Sequence, residues 1–340
     1  MKIDIFSHIF PRSYFERMVD VIPDRDSVKR WMTIPVLYDL DARLRVMEQF
    51  PGYSQVLTLS MPPIEFVAKP DTSPELARLA NDGMAAICKQ HPEQFPGFVA
   101  SLPMNNVPAA LEEMKRAIEG LGARGVQVFT NVNGRALDDP EFFPIFERMT
   151  GYDLPVWMHP ARPPRFADYP GEAKSKYEIW WAFGWPYETS AAMARMVFSG
   201  MFDKLPALKI ITHHMGAMIP FFEGRVGLGW DQLGTRTSDE DYESLLKSLK
   251  RRPLDYFKMF YADTSLSGSF SATRCGLDFF GADHCLFGTD CPFDPEGGPQ
   301  FIRETIAVID RLEISERDRE KIYSANAIEL LRLSREALKA

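Results

Sequence analysis

The chain has 340 residues, 45% of them apolar and 25% charged, with a net charge of -8 and a pI near 5.4. This is an ordinary globular composition, too acidic and too free of basic stripes for a nucleic-acid binder. No apolar run approaches the about 20 residues that span a bilayer, no signal peptide opens the sequence, and Cys88, Cys275, Cys285 and Cys291 form no C-x-x-C pair, so a reduced, cytoplasmic protein is expected.

Eight β-rich runs recur along the chain, at 2–6, 55–60, 97–102, 125–130, 155–159, 208–213, 259–264 and 284–289. Amphipathic helical stretches lie between them, at 40–50, 74–91, 107–120, 140–151, 189–205 and 298–312. Strands alternating with helices imply βαβ units and a parallel sheet. Eight such units imply closure into a (β/α)8 barrel. An open doubly wound sheet is the alternative, and no Gly-rich turn after the first strand supports it. Two segments exceed a minimal barrel: 11–37, and 160–188 with Arg162, Trp180, Trp181 and Trp185. Both are expected as insertions over the C-terminal face, since long loops in compact domains are commonly functional. A last helix at 316–338 is expected to pack on the outside, and 1–340 to form one domain.

Of the six histidines, His91 reads as a capping or surface residue and His284 as structural, at the bottom of the last strand. The other four stand at strand ends: His8 after the first, His159 at the end of the fifth, His213 and His214 at the end of the sixth. Asp290 ends the eighth. In a barrel these ends converge on one mouth, and three histidine-bearing strand ends with an aspartate suit a divalent metal. Alternation along the first strand places Asp4, Phe6 and His8 on one face. A polar barrel top of satisfied histidines is the bland alternative.

The opening "MKIDIFSHIFP" resembles that of the aminocarboxymuconate-semialdehyde decarboxylase family of the amidohydrolase superfamily, whose pattern is D-x-H-x-H. Further similar segments follow in order: "GVQVFTNVNG", "LPVWMHP", "GMFDKLPALKIITHHMGAMIPF", "FYADTS", "LFGTDCPFD" and "IYSANAIELL". The resemblance implies that His8, His159 and Asp290 bind a metal, zinc first and manganese as the alternative. It implies that His214 acts on substrate or water together with Asp290, and that Arg225 is an ion-pair partner behind the site. His213 has no matching role and is read as a buried supporting ring. Trp180, Trp181 and Phe293 are candidate substrate walls, with Phe6 and Arg162 as further substrate contacts. Lys29, Arg43 and Arg45 are possible carboxylate partners, Arg43 and Arg45 reading more simply as surface residues of a helix.

Phe6 stands where the family has histidine, or glutamate in the related hydroxybenzoate decarboxylases, and phenylalanine binds no metal. Three readings stay open: three protein ligands completed by water or substrate, a ligand set filled by His213 or His214, or a site without metal. The implied reaction is non-oxidative decarboxylation of a small anionic aromatic or muconate-like acid. Hydrolysis of a lactone, amide or vinylogous acid at the same site is the alternative, and a decayed barrel kept for binding is the non-catalytic one. A homodimer is expected by resemblance.

Overall fold

The computed structural model describes residues 1–22 and 28–334. Eight parallel strands form the wall of a (β/α)8 barrel. They are β1 Lys2–Ile9, β2 Tyr53–Leu59, β3 in two pieces, Gly97–Phe98 and Ala100–Ser101, β4 Val126–Phe129, β5 Val156–His159, β6 Ile210–Thr212, β7 Tyr261–Asp263 and β8 Cys285–Leu286. Each pairs with its sequence neighbour: His8 lies beside Thr58, Phe129 beside His159, Met158 beside Thr212 and Asp263 beside Leu286. At β3 the Val99 amide bonds Leu57 O and the Ala100 amide bonds Gly125 O, both at 2.9 Å, which carries the ladder from β2 to β4. The wall closes where β1 meets the segment after β8. Ile5 N bonds Phe287 O at 2.9 Å, Asp290 N bonds Phe6 O at 3.1 Å and His8 N bonds Cys291 O at 2.8 Å. The run expected at 284–289 is therefore regular strand only at Cys285–Leu286, and beyond it the chain follows β1 by separate contacts.

Strands such as VQVF and VWMH are buried on both faces, as parallel strands under covering helices must be. The covering helices are amphipathic. Ser73–Gln90 starts with Pro74 in its first turn and buries Leu76, Ala77, Ala80 and Met84, a stripe at helical spacing. Among the described residues, no helix is long and apolar enough to cross a membrane.

The period-two reading of β1 fails at one point. The register with β2 slips between Asp4 and Ser7: Asp4 pairs with Gln55, but Ser7 pairs with Leu57. Three residues on β1 thus span two on β2, a β-bulge that reverses which side chains face inward. Ile3 and Ile5 join the barrel interior below the bulge, and Phe6 joins it above, with Val56, Val99, Trp157, Ile211 and Leu286. Asp4 instead faces outward to Tyr53, not to the side shared by Phe6 and His8. The Ile5 carbonyl turns inward and accepts the Trp157 indole N–H across the barrel at 3.0 Å.

The helix expected from residue 316 forms, and what differs from expectation is where it packs. It runs without a break through Glu316–Glu320, a π-turn at Lys321–Ala325 and Asn326–Leu330. Ala327, Leu330, Leu331 and Leu333 pack on Ile3, Val56 and Leu286 and plug the bottom of the barrel. The expected helix at 335–338 lies outside the described residues. Segment 11–37 is not one loop: it contains the helices Arg12–Val21 and Lys29–Met32, with Tyr14 and Met18 buried. The helix expected at 189–205 begins earlier, as Gly184–Phe198, and breaks at Gly200 (φ +70°) before Met201–Lys204.

Candidate active site

The upper ends of β1, β5, β6 and the segment after β8 bring five side chains together. Ligand atoms of His8, His159 and His213 lie within 4.8 Å of one another, and so do those of His213, His214 and Asp290. His8 Nε2 is 3.1 Å from Asp290 Oδ1, His213 Nε2 is 3.4 Å from the same oxygen, and His214 Nε2 is 3.8 Å from Oδ2.

The far side of each ring decides what the near side offers. His159 Nδ1 is 2.7 Å from the Pro160 carbonyl, so it carries a proton and leaves Nε2 with a lone pair. His8 Nδ1 faces Thr58 Oγ1 at 3.2 Å, and the Thr58 hydroxyl donates to Ser7 O. The same assignment follows: Nδ1–H donates and the His8 Nε2 lone pair faces a carboxylate. Burial lowers the pKa of both rings, that of His159 well below the usual histidine value, which keeps the lone pairs free. Two acceptors facing each other at 3.1 Å call for a cation between them. The His8 Nε2 atom is buried without a hydrogen-bond partner. Together with the His159 Nε2 lone pair and the Asp290 carboxylate it makes a donor set that fits a divalent transition ion.

His213 is different. Its Nδ1 lies 2.5 Å from Asp263 Oδ2, at the end of β7, and Asp263 Oδ1 accepts the amides of His214 at 3.0 Å and Ser265 at 2.9 Å. Burial alone would lower the pKa of His213, but the charges of Asp263 and Asp290 outweigh it and raise it to about 9. For Asp290, burial alone would raise the carboxyl, but the imidazoles gathered around it, that of His213 first, hold it well below the usual range. The structure thus puts His213, not His214, at the buried centre. His213 is fully buried, whereas His214 is half-buried, its ring lying over that of His213 with centroids 3.7 Å apart.

The backbone here is unusual. His214, Met215, Gly216 and Ala217 have φ of +56°, +54°, +70° and +55°, one left-handed turn directly after β6. Each non-glycine residue in that region costs about 1–2 kcal/mol, and such strain concentrates at functional sites. Met215, buried at 2% exposure, anchors the turn against Gly276 in the helix Phe270–Phe280. Asp290 is left-handed too, at φ +65°. Gly288 lets the last segment approach the floor: a Cβ there would sit 2.9 Å from Asp263 Cβ and 3.4 Å from Phe6 Cβ.

Several sequence candidates move. Phe6 is completely buried and stacks on His213 at 3.8 Å, so it is the floor under the cluster and not a wall open to substrate. Phe293 lies 5.4 Å from His8. Trp180 packs on Trp185, which in turn packs on His159 at 5.5 Å, while Trp181 is exposed. Trp185 and Phe129, 5.3 Å from His159, are walls that the sequence reading missed. Arg162 is paired with Glu188 at 2.7 Å. Arg225 is exposed and makes no ion pair among the described residues, so it does not stand behind the site. Lys29 and Arg45 are exposed, but Arg43 is fully buried and is no surface residue. The four cysteines are free, and burial pushes the Cys291 thiol up to about 12, so it is not a ready nucleophile.

A (β/α)8 barrel with imidazoles and a carboxylate on its C-terminal rim defines a metal-site barrel enzyme. The chain belongs to the amidohydrolase family, whose model matches residues 37–333. It is 32% identical to a 2-amino-3-carboxymuconate-6-semialdehyde decarboxylase of Dictyostelium discoideum, over 87% of this chain and 77% of that protein. It is 33% identical to a gamma-resorcylate decarboxylase of Polaromonas sp. (strain JS666), over 98% of this chain and 99% of the relative. A dihydroxybenzoic acid decarboxylase of Polaromonas sp. JS666, solved with bound manganese and the inhibitor 2-nitroresorcinol, superposes with a TM-score of 0.78 at 28% identity. It covers 100% of this chain and 99% of that one.

Proposed function

We infer that the chain is a metal-dependent carboxy-lyase that removes CO2, without oxidation, from a small aromatic or muconate-like carboxylic acid. The observation that carries this is the sorting of the imidazoles by their far-side partners. His8 and His159 donate to neutral oxygens and offer lone pairs, whereas His213 donates to a carboxylate and holds its proton. Environments that drive like groups apart mark ligand and acid roles. His8, His159 and Asp290 would hold the ion, and the manganese of the solved relative favours manganese over zinc. A bound ion would supply positive charge that attracts and orients the substrate carboxylate.

The remaining work falls to side chains. Trp185, Phe129 and Phe293 offer apolar faces for a planar acid, with His214 on its open side. His213 delivers its Nε2 proton to the ring carbon that bears the carboxylate. The electrons of the breaking C–C bond return to the ring, CO2 leaves, and His213 takes a proton back from water. Asp263 holds the imidazole in orientation and balances its charge. We also propose that the chain works as one barrel domain and as a homodimer in a reducing cytoplasm. The exposed aromatics Tyr169, Tyr177, Phe183, Tyr187 and Phe221 would form the dimer surface.

The test is CO2 release by manganese-loaded protein from a panel of hydroxybenzoates and muconate acids. His213→Asn is expected to keep the ion and lose roughly 100-fold or more in kcat. Turnover of lactones without CO2 release would replace this reading with the hydrolase, and silence on both panels would support a binding role.

A further inference from the structure

A second buried polar assembly lies outside the barrel wall, against β1, and none of its side chains belongs to the histidine cluster. Asp4 is fully buried. Its Oδ1 accepts the amides of Phe6 and Thr289, each at 3.1 Å. Its Oδ2 accepts the hydroxyls of Tyr53 at 2.6 Å and Thr289 at 2.5 Å. Two backbone amides and two hydroxyls placed to donate to it are a set of partners that suits a carboxylate. Burial lifts its pKa to about 6 against the pull of those donors, which leaves it ionised at neutral pH.

The opposite charge is Arg43, also fully buried, on the helix Leu40–Met47. Its Nη1 donates to Gln55 Oε1 at 2.6 Å and to Ser7 Oγ at 2.9 Å, its Nη2 to the His8 carbonyl, and its Nε to Val36 O at 3.2 Å. Gln55 Nε2 then donates to the Tyr53 hydroxyl at 2.9 Å, and Tyr53 donates to Asp4. Every donor in the chain Arg43, Gln55, Tyr53, Asp4 points toward the carboxylate, an order in which each bond polarises the next.

A buried charge pair is a poor way to gain stability, since apolar replacements commonly do as well or better. What this one does is mechanical. Thr289 precedes Asp290, whose left-handed backbone is costly for a residue with a Cβ. Asp4 grips Thr289 by both its amide and its hydroxyl, and that hydroxyl oxygen accepts the Cys291 amide at 3.2 Å. The Asp290 backbone is thereby clamped on both sides.

We propose that Asp4 is a positioning residue for the metal site, acting through Thr289 to hold Asp290 where it meets His8. The proposal rests on the metal reading above. Partners that orient metal ligands typically change affinity by about 10–100-fold when removed. Arg43 is the positive charge at the other end of the same hydrogen-bond chain, and it ties the assembly to the His8 backbone.

The experiment measures Mn2+ affinity by chelator competition, and the thermal midpoint of the metal-free protein, for wild type, Asp4→Asn, Thr289→Val and Thr289→Ser. Co2+ substitution gives a spectroscopic reading of ligand geometry. Asp4→Asn and Thr289→Val are expected to lose roughly tenfold or more in Mn2+ affinity and to alter the Co2+ spectrum, with Thr289→Ser close to wild type. Thr289→Val carries the test if Asp4→Asn does not fold. Unchanged affinity in the variants that fold, or a Thr289→Ser as weak as Thr289→Val, overturns the proposal. So does a loss of affinity matched by an equal loss of metal-free stability. Wild type that binds no Mn2+ ends the metal reading and this inference with it; tight binding by wild type and variants alike ends this inference only.

Discussion

The stack of Phe6 on His213, 3.8 Å between centroids, is where this chain departs from the D-x-H-x-H opening it resembles. The Phe6 ring also lies 5.5 Å from His8 and 6.0 Å from His159, so an imidazole in its place would face the same cluster. Phe6→His is expected to tighten Mn2+ binding about tenfold, the lower end of what one supporting group contributes; chelator competition reads it, and unchanged affinity would mean that residue 6 does not face the ligand atoms. The choice between His213 and His214 was not legible from sequence for a related reason. All three residues of β6 are buried, so no polar–apolar alternation marks the inward side. Only the placement of Ile211 in the barrel interior shows that His213, two residues on, points inward.

At the scale of elements, the strands announced themselves because apolar runs of parallel sheet are bounded by turns and helices. All eight form within the expected runs or overlap them. What stayed hidden depends on contacts between elements. The bulge at Asp4–Ser7 needs β2 to define a slip. From sequence the tail reads as a helix on the outside, because its apolar residues fit any core, the barrel bottom included. The left-handed turn 214–217 needs the helix Phe270–Phe280 behind it. That dependence makes a prediction. A Cβ on Gly276 would lie 1.9 Å from Met215 Cγ and 2.6 Å from its sulfur. Gly276→Ala is expected to cost about 1–3 kcal/mol, the usual effect of overpacking, in urea unfolding. Because Met215 follows the two histidines directly, kcat is expected to fall as well. Lost stability with unaltered kcat would mean that the turn absorbs the push without moving His213.

For the whole molecule, an ion held by His8, His159 and Asp290 would join β1, β5 and the segment after β8, and its site would exist only in the folded barrel. Binding to the native state alone stabilises by about 2.7 kcal/mol at a hundredfold excess over Kd, which for a chain of this size corresponds to a rise of roughly 4 °C in Tm. Scanning calorimetry with Mn2+, and again after a chelator, checks this; a Tm indifferent to both would speak against a native-state ion. The closure of the wall adds a consequence in time. His8 stands on β1 and Asp290 follows β8, and the two segments meet only at the seam where Ser7 bridges Cys291. During synthesis His8 must therefore wait for almost the whole chain before its carboxylate partner arrives, so capture of an ion by this pair would come late in folding. A barrel stalled before its eighth strand would carry histidines but no metal site.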